Sequence, residues 1–236
     1  MPLFTSQSLK FLRDLKKHND RDWFQPRKAL YDEQVREPML ALIGKINHEL
    51  ARVEPAFVTE PKKALFRMYR DTRFSSDKTP YKTNTSALFW RKQTDKLGGA
   101  VLYVSVSSAE VVVAGGSYMP TPAELLLLRQ HMAEHYARFG KILKSKALRE
   151  CFGELRGDQL QRAPKGFDPN HKAIDLLKRK QWLLRTALDS QMATTDEFVP
   201  EVLKGIRLLI PFVNFLNEPL LKKAARARDP LMVEFA

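Results

Sequence analysis

The stretch Ala100–Ser107 (AVLYVSVS), followed by Ser108-Ala109 and then Glu110–Ala114 (EVVVA), decides the fold class. β-Branched and aromatic side chains are stiff near Cβ and fit a pleated strand better than a helix. Two such runs joined by two small residues predict an antiparallel hairpin. Gly98-Gly99 and Gly115-Gly116 lie on either side and read as strand ends. Neither glycine pair belongs to a phosphate loop, because neither fits GxxxxGK[ST] or GxGxxG followed by a helix.

On the N-terminal side, Leu65–Tyr69 and Ser86–Trp90 read as further short strands, and Gln181–Leu188 as a fifth strand or a helix, with the strand favoured. The flanks carry helical periodicity. Thr5–Lys17 places Leu9, Leu12 and Leu15 near helical spacing, with Thr5 or Ser6 as cap. A helix capped by Asn19 or Asp20 follows, with Pro26 in its first turn, then one from Glu37 to Val53. After the hairpin, Thr121 caps a helix over Pro122–Phe139. Lys141–Cys151 and a short basic His171–Lys180 helix come next, and a final helix is interrupted by Pro211. Helices, strands, then helices predict one α+β domain over residues 1–236. Its antiparallel sheet has four or five strands, flanked by N-terminal and C-terminal helices and covered on one face.

The chain has 236 residues, 44% hydrophobic and 28% charged, which excludes wholesale disorder and allows a substantial core. One cysteine, Cys151, excludes an intramolecular disulfide framework and any CxxC site, and reads as a buried thiol. No apolar run approaches the ~18 residues of a membrane span, and the N-terminus lacks a signal-peptide core, so the expected compartment is cytoplasmic. The formal net charge is +13. Residues 61–100 hold 10 basic and 3 acidic side chains, and residues 141–180 hold 11 and 5. These two windows supply the whole excess, and if they converge they make a face that attracts phosphates or carboxylates.

The densest polar segment is Phe66–Trp90, FRMYRDTRFSSDKTPYKTNTSALFW. Side-chain alternation puts Arg67 and Tyr69 on one face and Phe66, Met68 and Arg70 on the other. Beyond Tyr69 the charges are too many for a buried strand, and the Asp, Ser, Thr and Pro residues predict a turn-rich loop. Arg67, Arg70, Arg73, Lys78 and Lys82, with Tyr81, are the candidate ligand-binding residues. Guanidinium groups match phosphate or carboxylate in a two-pronged way, and lysines add point charge. Asp71 and Asp77 are expected to orient the arginines, with proton transfer as the alternative role.

This segment resembles the bacterial conserved-hypothetical family DUF2461, through YRDTRFSSDKTPYKT at Tyr69–Thr83. DRDWFQPRKALYDEQVREPM (Asp20–Met39), GGSYMPTPAEL (Gly115–Leu125) and PKGFDPNH (Pro164–His171) are similar to the same family, so the resemblance runs from about residue 8 to 217. It implies no activity, cofactor or catalytic residue, since the family's function is unknown.

Weaker signals accompany the motif. His131 and His135 share a helix face as a candidate metal pair, but without a third ligand a solvated helix face is the expectation and no metal is assigned. Trp23, Phe24 and Trp90 read as core residues, with base stacking as the alternative. Three functions remain open: a binding module for nucleic acid or a phosphorylated small molecule, an enzyme acting on an anionic substrate through Asp71, Asp77 or Tyr81, and an interaction protein whose arginine loop is a structural ion-pair knot. No cofactor fingerprint or membrane partner is read.

Overall fold

A computed structural model describes residues 2–73, 75–94, 96 and 98–228, with the side chains of 222–228 excepted. Phe74 of the motif lies outside the described residues. The protein is α+β, with one four-stranded antiparallel sheet in the order β1-β2-β3-β4. The strands are β1 Asn84–Phe89, β2 Val101–Ser107, β3 Glu110–Ser117 and β4 Trp182–Asp189. The predicted hairpin is β2–β3. The Ser107 hydroxyl ties its turn together, accepting from the backbone N–H of Ala109 and Glu110 and donating to Glu110 O. The strand favoured at Gln181–Leu188 is β4.

Several details differ from expectation for identifiable reasons. Leu65–Tyr69 forms no strand, only isolated bridges, Leu65 to Ala87 and Tyr69 to Tyr81. Between those bridges the two segments advance by unequal numbers of residues, so no regular ladder persists. Gly115-Gly116 lies inside β3 rather than past its end. Gly116 has φ +133°, and a Cβ there would sit 1.9 Å from Trp182 O, so the close backbone approach excludes a side chain. Cover is not confined to one face either: β1 buries five successive residues and so is covered on both sides.

The chain divides into two compact units. The first comprises Met1–Phe89, Tyr103–Val113 and Ala187–Gly205. Here the helix Ser6–Lys17 starts with a reciprocal Thr5/Ser8 capping box and buries Leu9, Phe11, Leu12 and Leu15. Asp20 caps a short turn of helix, Arg21–Phe24. Pro26 does not sit in that first turn; it marks a 3₁₀ break at Gln25–Arg27. A π-turn over Asp32–Arg36 then leads into the helix Glu37–Val53, near whose start Pro38 has no N–H to offer the preceding turn. Phe11, Leu12, Leu15, Phe24, Tyr31 and Val35 form one apolar cluster, completed by Met68 and Tyr81 and flanked by half-buried Trp23.

The second unit comprises Trp90–Leu102, Ala114–Thr186 and Ile206–Ala236. Thr121 caps the helix Pro122–Glu134 through a capping box with Glu124. The predicted Lys141–Cys151 helix is two, Tyr136–Leu143 and Lys146–Phe152, and the basic segment near 171–180 is helical only at Ile174–Leu177. Cys151 is half-buried rather than buried. Pro211 and Pro219 do not interrupt the last helix, Phe198–Arg228. Each removes a backbone donor at a cost of about 3 kcal/mol. Around Pro211 that cost is offset by burial of Leu209, Phe212, Val213, Phe215 and Leu216, each such side chain worth ~1.5–3 kcal/mol. Phe139 stacks on Phe212 and Phe215 at 5.8 and 4.5 Å.

Candidate functional site

The motif lies in the first unit as an exposed, internally bonded loop beside the extension of β1. The chain enters through Phe66, whose N–H donates to Ser86 O, and leaves through Lys82, whose N–H donates to Met68 O. The predicted alternation holds here: Arg67 and Tyr69 are exposed, Met68 is buried, and Phe66 and Arg70 are half-buried. Between the two limbs the side chains bond to one another. Arg70 donates to Asp77 and to the Thr79 hydroxyl. Asp77 also accepts from Thr79 N and Oγ1 at 2.9 and 2.8 Å. Arg73 grips Asp71 with Nε and Nη2 at 3.0 and 2.8 Å. Lys78 donates to Thr72 O at 2.9 Å.

These bonds set the charge states. Hydrogen bonds from Arg73 hold the Asp71 carboxyl down, from 3.8 to about 2. Asp77 is likewise lowered to about 2, chiefly by the Arg70 guanidinium and then by Thr79. Both are ionised at neutral pH and weakly basic. A general acid or base works best with a pKa near the operating pH, so neither is tuned for proton transfer.

Tyr81 is not at the surface. It is fully buried, 4.3 Å from the Phe24 ring and 5.3 Å from Tyr69. Its hydroxyl lies near Gln25 without ordinary hydrogen-bond geometry, and burial raises its pKa. The Asn19 side chain clamps its backbone, accepting from Tyr81 N and donating to Tyr81 O, both at 2.9 Å. Tyr81 is therefore a core side chain beneath the motif rather than a surface one.

Beside the loop lies an open groove of about 410 Å³. Arg70, Asp71 and Lys82 line it from the motif. Phe66, Asn84, Ser86 and Tyr103 complete it. Lys82, Asn84 and Ser86 are two residues apart, the spacing that puts side chains on one side of an extended chain. The Lys82 ammonium sits 4.7 Å from the Phe66 ring centroid, and Phe66 meets Tyr103 edge-on at 6.4 Å. Asn84 Nδ2 lies 3.5 Å from the Tyr103 hydroxyl. Among the predicted ligand residues the groove thus brings together Arg70 and Lys82, with Asp71, paired to Arg73, also on its wall. Arg67, Arg73 and Lys78 are exposed and do not line it. Asn84, Ser86 and Tyr103 escaped the sequence reading. The Lys82-Asn84-Ser86 alternation was a usable signal; Tyr103 carried none without the strand register.

The other candidates resolve differently. His131 is buried rather than solvated, 4.6 Å from the rings of both Phe215 and His135, with Nε2 3.2 Å from Glu218. Among the described residues no group of three or more His, Cys, Asp or Glu is placed to hold a metal. Phe24 is core, whereas Trp23 and Trp90 are half-buried beneath cations, Arg27 and Lys96. No helix among the described residues is long and apolar enough to cross a membrane.

A family model described as conserved hypothetical protein (DUF2461) matches residues 7–215. No curated protein matches the chain.

Proposed function

The chain belongs to the DUF2461 family, and we propose that it binds a small anionic, phosphate-bearing ligand in the groove beside its arginine loop. The observation that carries this is the convergence of Arg70 and Lys82 on one concave, partly aromatic surface of about 410 Å³. That volume falls in the ~300–1,000 Å³ range of small-molecule sites. The segment Phe66–Trp90 carries five cations and two acids, so positive charge remains after both carboxylates are matched. An anion entering the groove meets a guanidinium already oriented by Asp77 and Thr79, which lowers the ordering cost of binding.

One observation favours the structural reading instead: Arg70 and Arg73 each hold a carboxylate already. Those pairs are solvent-accessible, and exposed pairs are worth only about 0–1 kcal/mol. A phosphate can therefore share Arg70 at little cost, since its five donors are not exhausted by Asp77 and Thr79. The enzyme alternative through Asp71, Asp77 or Tyr81 draws no support from two carboxylates held near 2 and a buried phenol.

The test is a thermal-shift titration with inorganic phosphate, pyrophosphate and ribose 5-phosphate on the parent, Arg70→Ala and Lys82→Ala proteins. A bound ligand raises the melting point of the native state. The expected result is a concentration-dependent rise in the parent that shrinks in both variants. Equal rises in all three proteins, or none in the parent, would refute the site.

A further inference from the structure

The groove is not uniform along its length, and its gradient narrows the ligand. Arg70 lies beside Pro80, to whose carbonyl its N–H donates at 2.9 Å, and Phe66 lies beside Ser86 through its own 2.9 Å bond. From Lys82 to Ser86 the extended chain covers roughly 13 Å at ~3.3 Å per residue. The motif end offers Arg70, and the Lys82 ammonium reaches from that end over the Phe66 ring, 4.7 Å from its centroid. Beyond Lys82 the wall is made by the Asn84 amide, buried Ser86 and the half-exposed Tyr103 ring, none of them charged. Asp71 is also on the wall. Its oxygens take two bonds from the Arg73 side chain and one from the Arg73 N–H, and a carboxylate has about four acceptor positions, so capacity remains for one hydroxyl donor.

Resting on the anion-binding reading above, we propose that the ligand is a nucleoside monophosphate. Its phosphate meets Arg70 and Lys82, one of its sugar hydroxyls donates to Asp71, and its base lies against Tyr103 with its polar edge toward Asn84 and Ser86. A planar, uncharged, hydrogen-bonding body attached to a phosphate is what this gradient complements. Inorganic phosphate would leave the aromatic half unused. A polyphosphate would crowd extra negative charge near Asp71, which stays ionised.

Calorimetric titration of the whole chain with AMP, GMP, CMP and UMP, against ribose 5-phosphate, decides the point. At least one nucleotide is expected to bind tenfold or more tightly than ribose 5-phosphate. Tyr103→Leu should erase that difference while leaving ribose 5-phosphate affinity unchanged, with circular dichroism confirming the fold. Should Tyr103→Leu misfold, Asn84→Ala serves as the second variant, expected to reduce nucleotide affinity alone. If ribose 5-phosphate binds in an Arg70-dependent way and no nucleotide binds more tightly, the nucleotide assignment is wrong and the anion site stands. If neither class binds, both are wrong.

Discussion

Arg70 and Lys82 differ from the other motif cations in facing a concave wall, so their removal should be felt differently. A charge-assisted contact to a bound anion contributes about 1.5–3 kcal/mol. Arg70→Ala should therefore weaken phosphate-ester binding roughly 10- to 150-fold. Its effect on stability should stay within about 1 kcal/mol, because the Arg70–Asp77 pair is solvent-accessible. Arg67→Ala, outside the groove, should change neither. The acids make a separate prediction. Asp71 and Asp77 have folded pKa values lowered from 3.8 to about 2, so their stabilisation is present above the unfolded value and is lost as pH falls through the folded one. Between about pH 5 and pH 2 the parent should lose melting temperature more steeply than an Asp71→Asn/Asp77→Asn protein; parallel curves would mean that the pairs contribute nothing to the fold. Pairing of Arg with Asp was legible from residue types alone, because like charges packed this densely need acids among them. The burial of Tyr81 was not. A tyrosine amid lysines and aspartates reads as exposed until Phe24 and Met68, distant in sequence, are seen to cover it.

Elements fail at their tightest points. Gly116 has a positive φ and no room for Cβ against Trp182, so Gly116→Ala should destabilise by more than about 3 kcal/mol, measured by denaturant unfolding. A loss below 1 kcal/mol would mean that β3 and β4 can part there without cost. In the second unit, fully buried Asn217 accepts from Ala100 N and donates to Ala100 O, both at 2.9 Å, holding the residue that precedes β2. Asn217→Ala orphans both backbone groups, at about 1–3 kcal/mol each. The β2–β3 hairpin was legible because β-branching and a two-residue turn agree locally. Leu65–Tyr69 was over-read as a strand, since apolar content cannot reveal that its partner segment advances out of step. Pro211 was over-read as a break, because local propensity says nothing of the five apolar side chains buried around it.

For the whole molecule, the net charge of +13 and the groove make separable demands. Long-range attraction by a diffuse basic surface is screened beyond ~8 Å at physiological salt, whereas contacts made inside a groove are screened less. Raising salt from about 0.05 to 0.5 M should abolish oligonucleotide association that rests on diffuse charge. Groove binding of a phosphate ester should persist over the same range, weakened only modestly. The charge windows were legible in the composition, but charge alone could not separate these two kinds of attraction. The most direct measurement is a titration of the isotope-labelled chain with ribose 5-phosphate, followed by amide and arginine side-chain NMR shifts. The account predicts saturable shifts at Arg70 and Lys82, with the Lys82 shift absent in Arg70→Ala. Shifts that never saturate, or that gather within residues 141–180 and leave Arg70 and Lys82 unmoved, would contradict it.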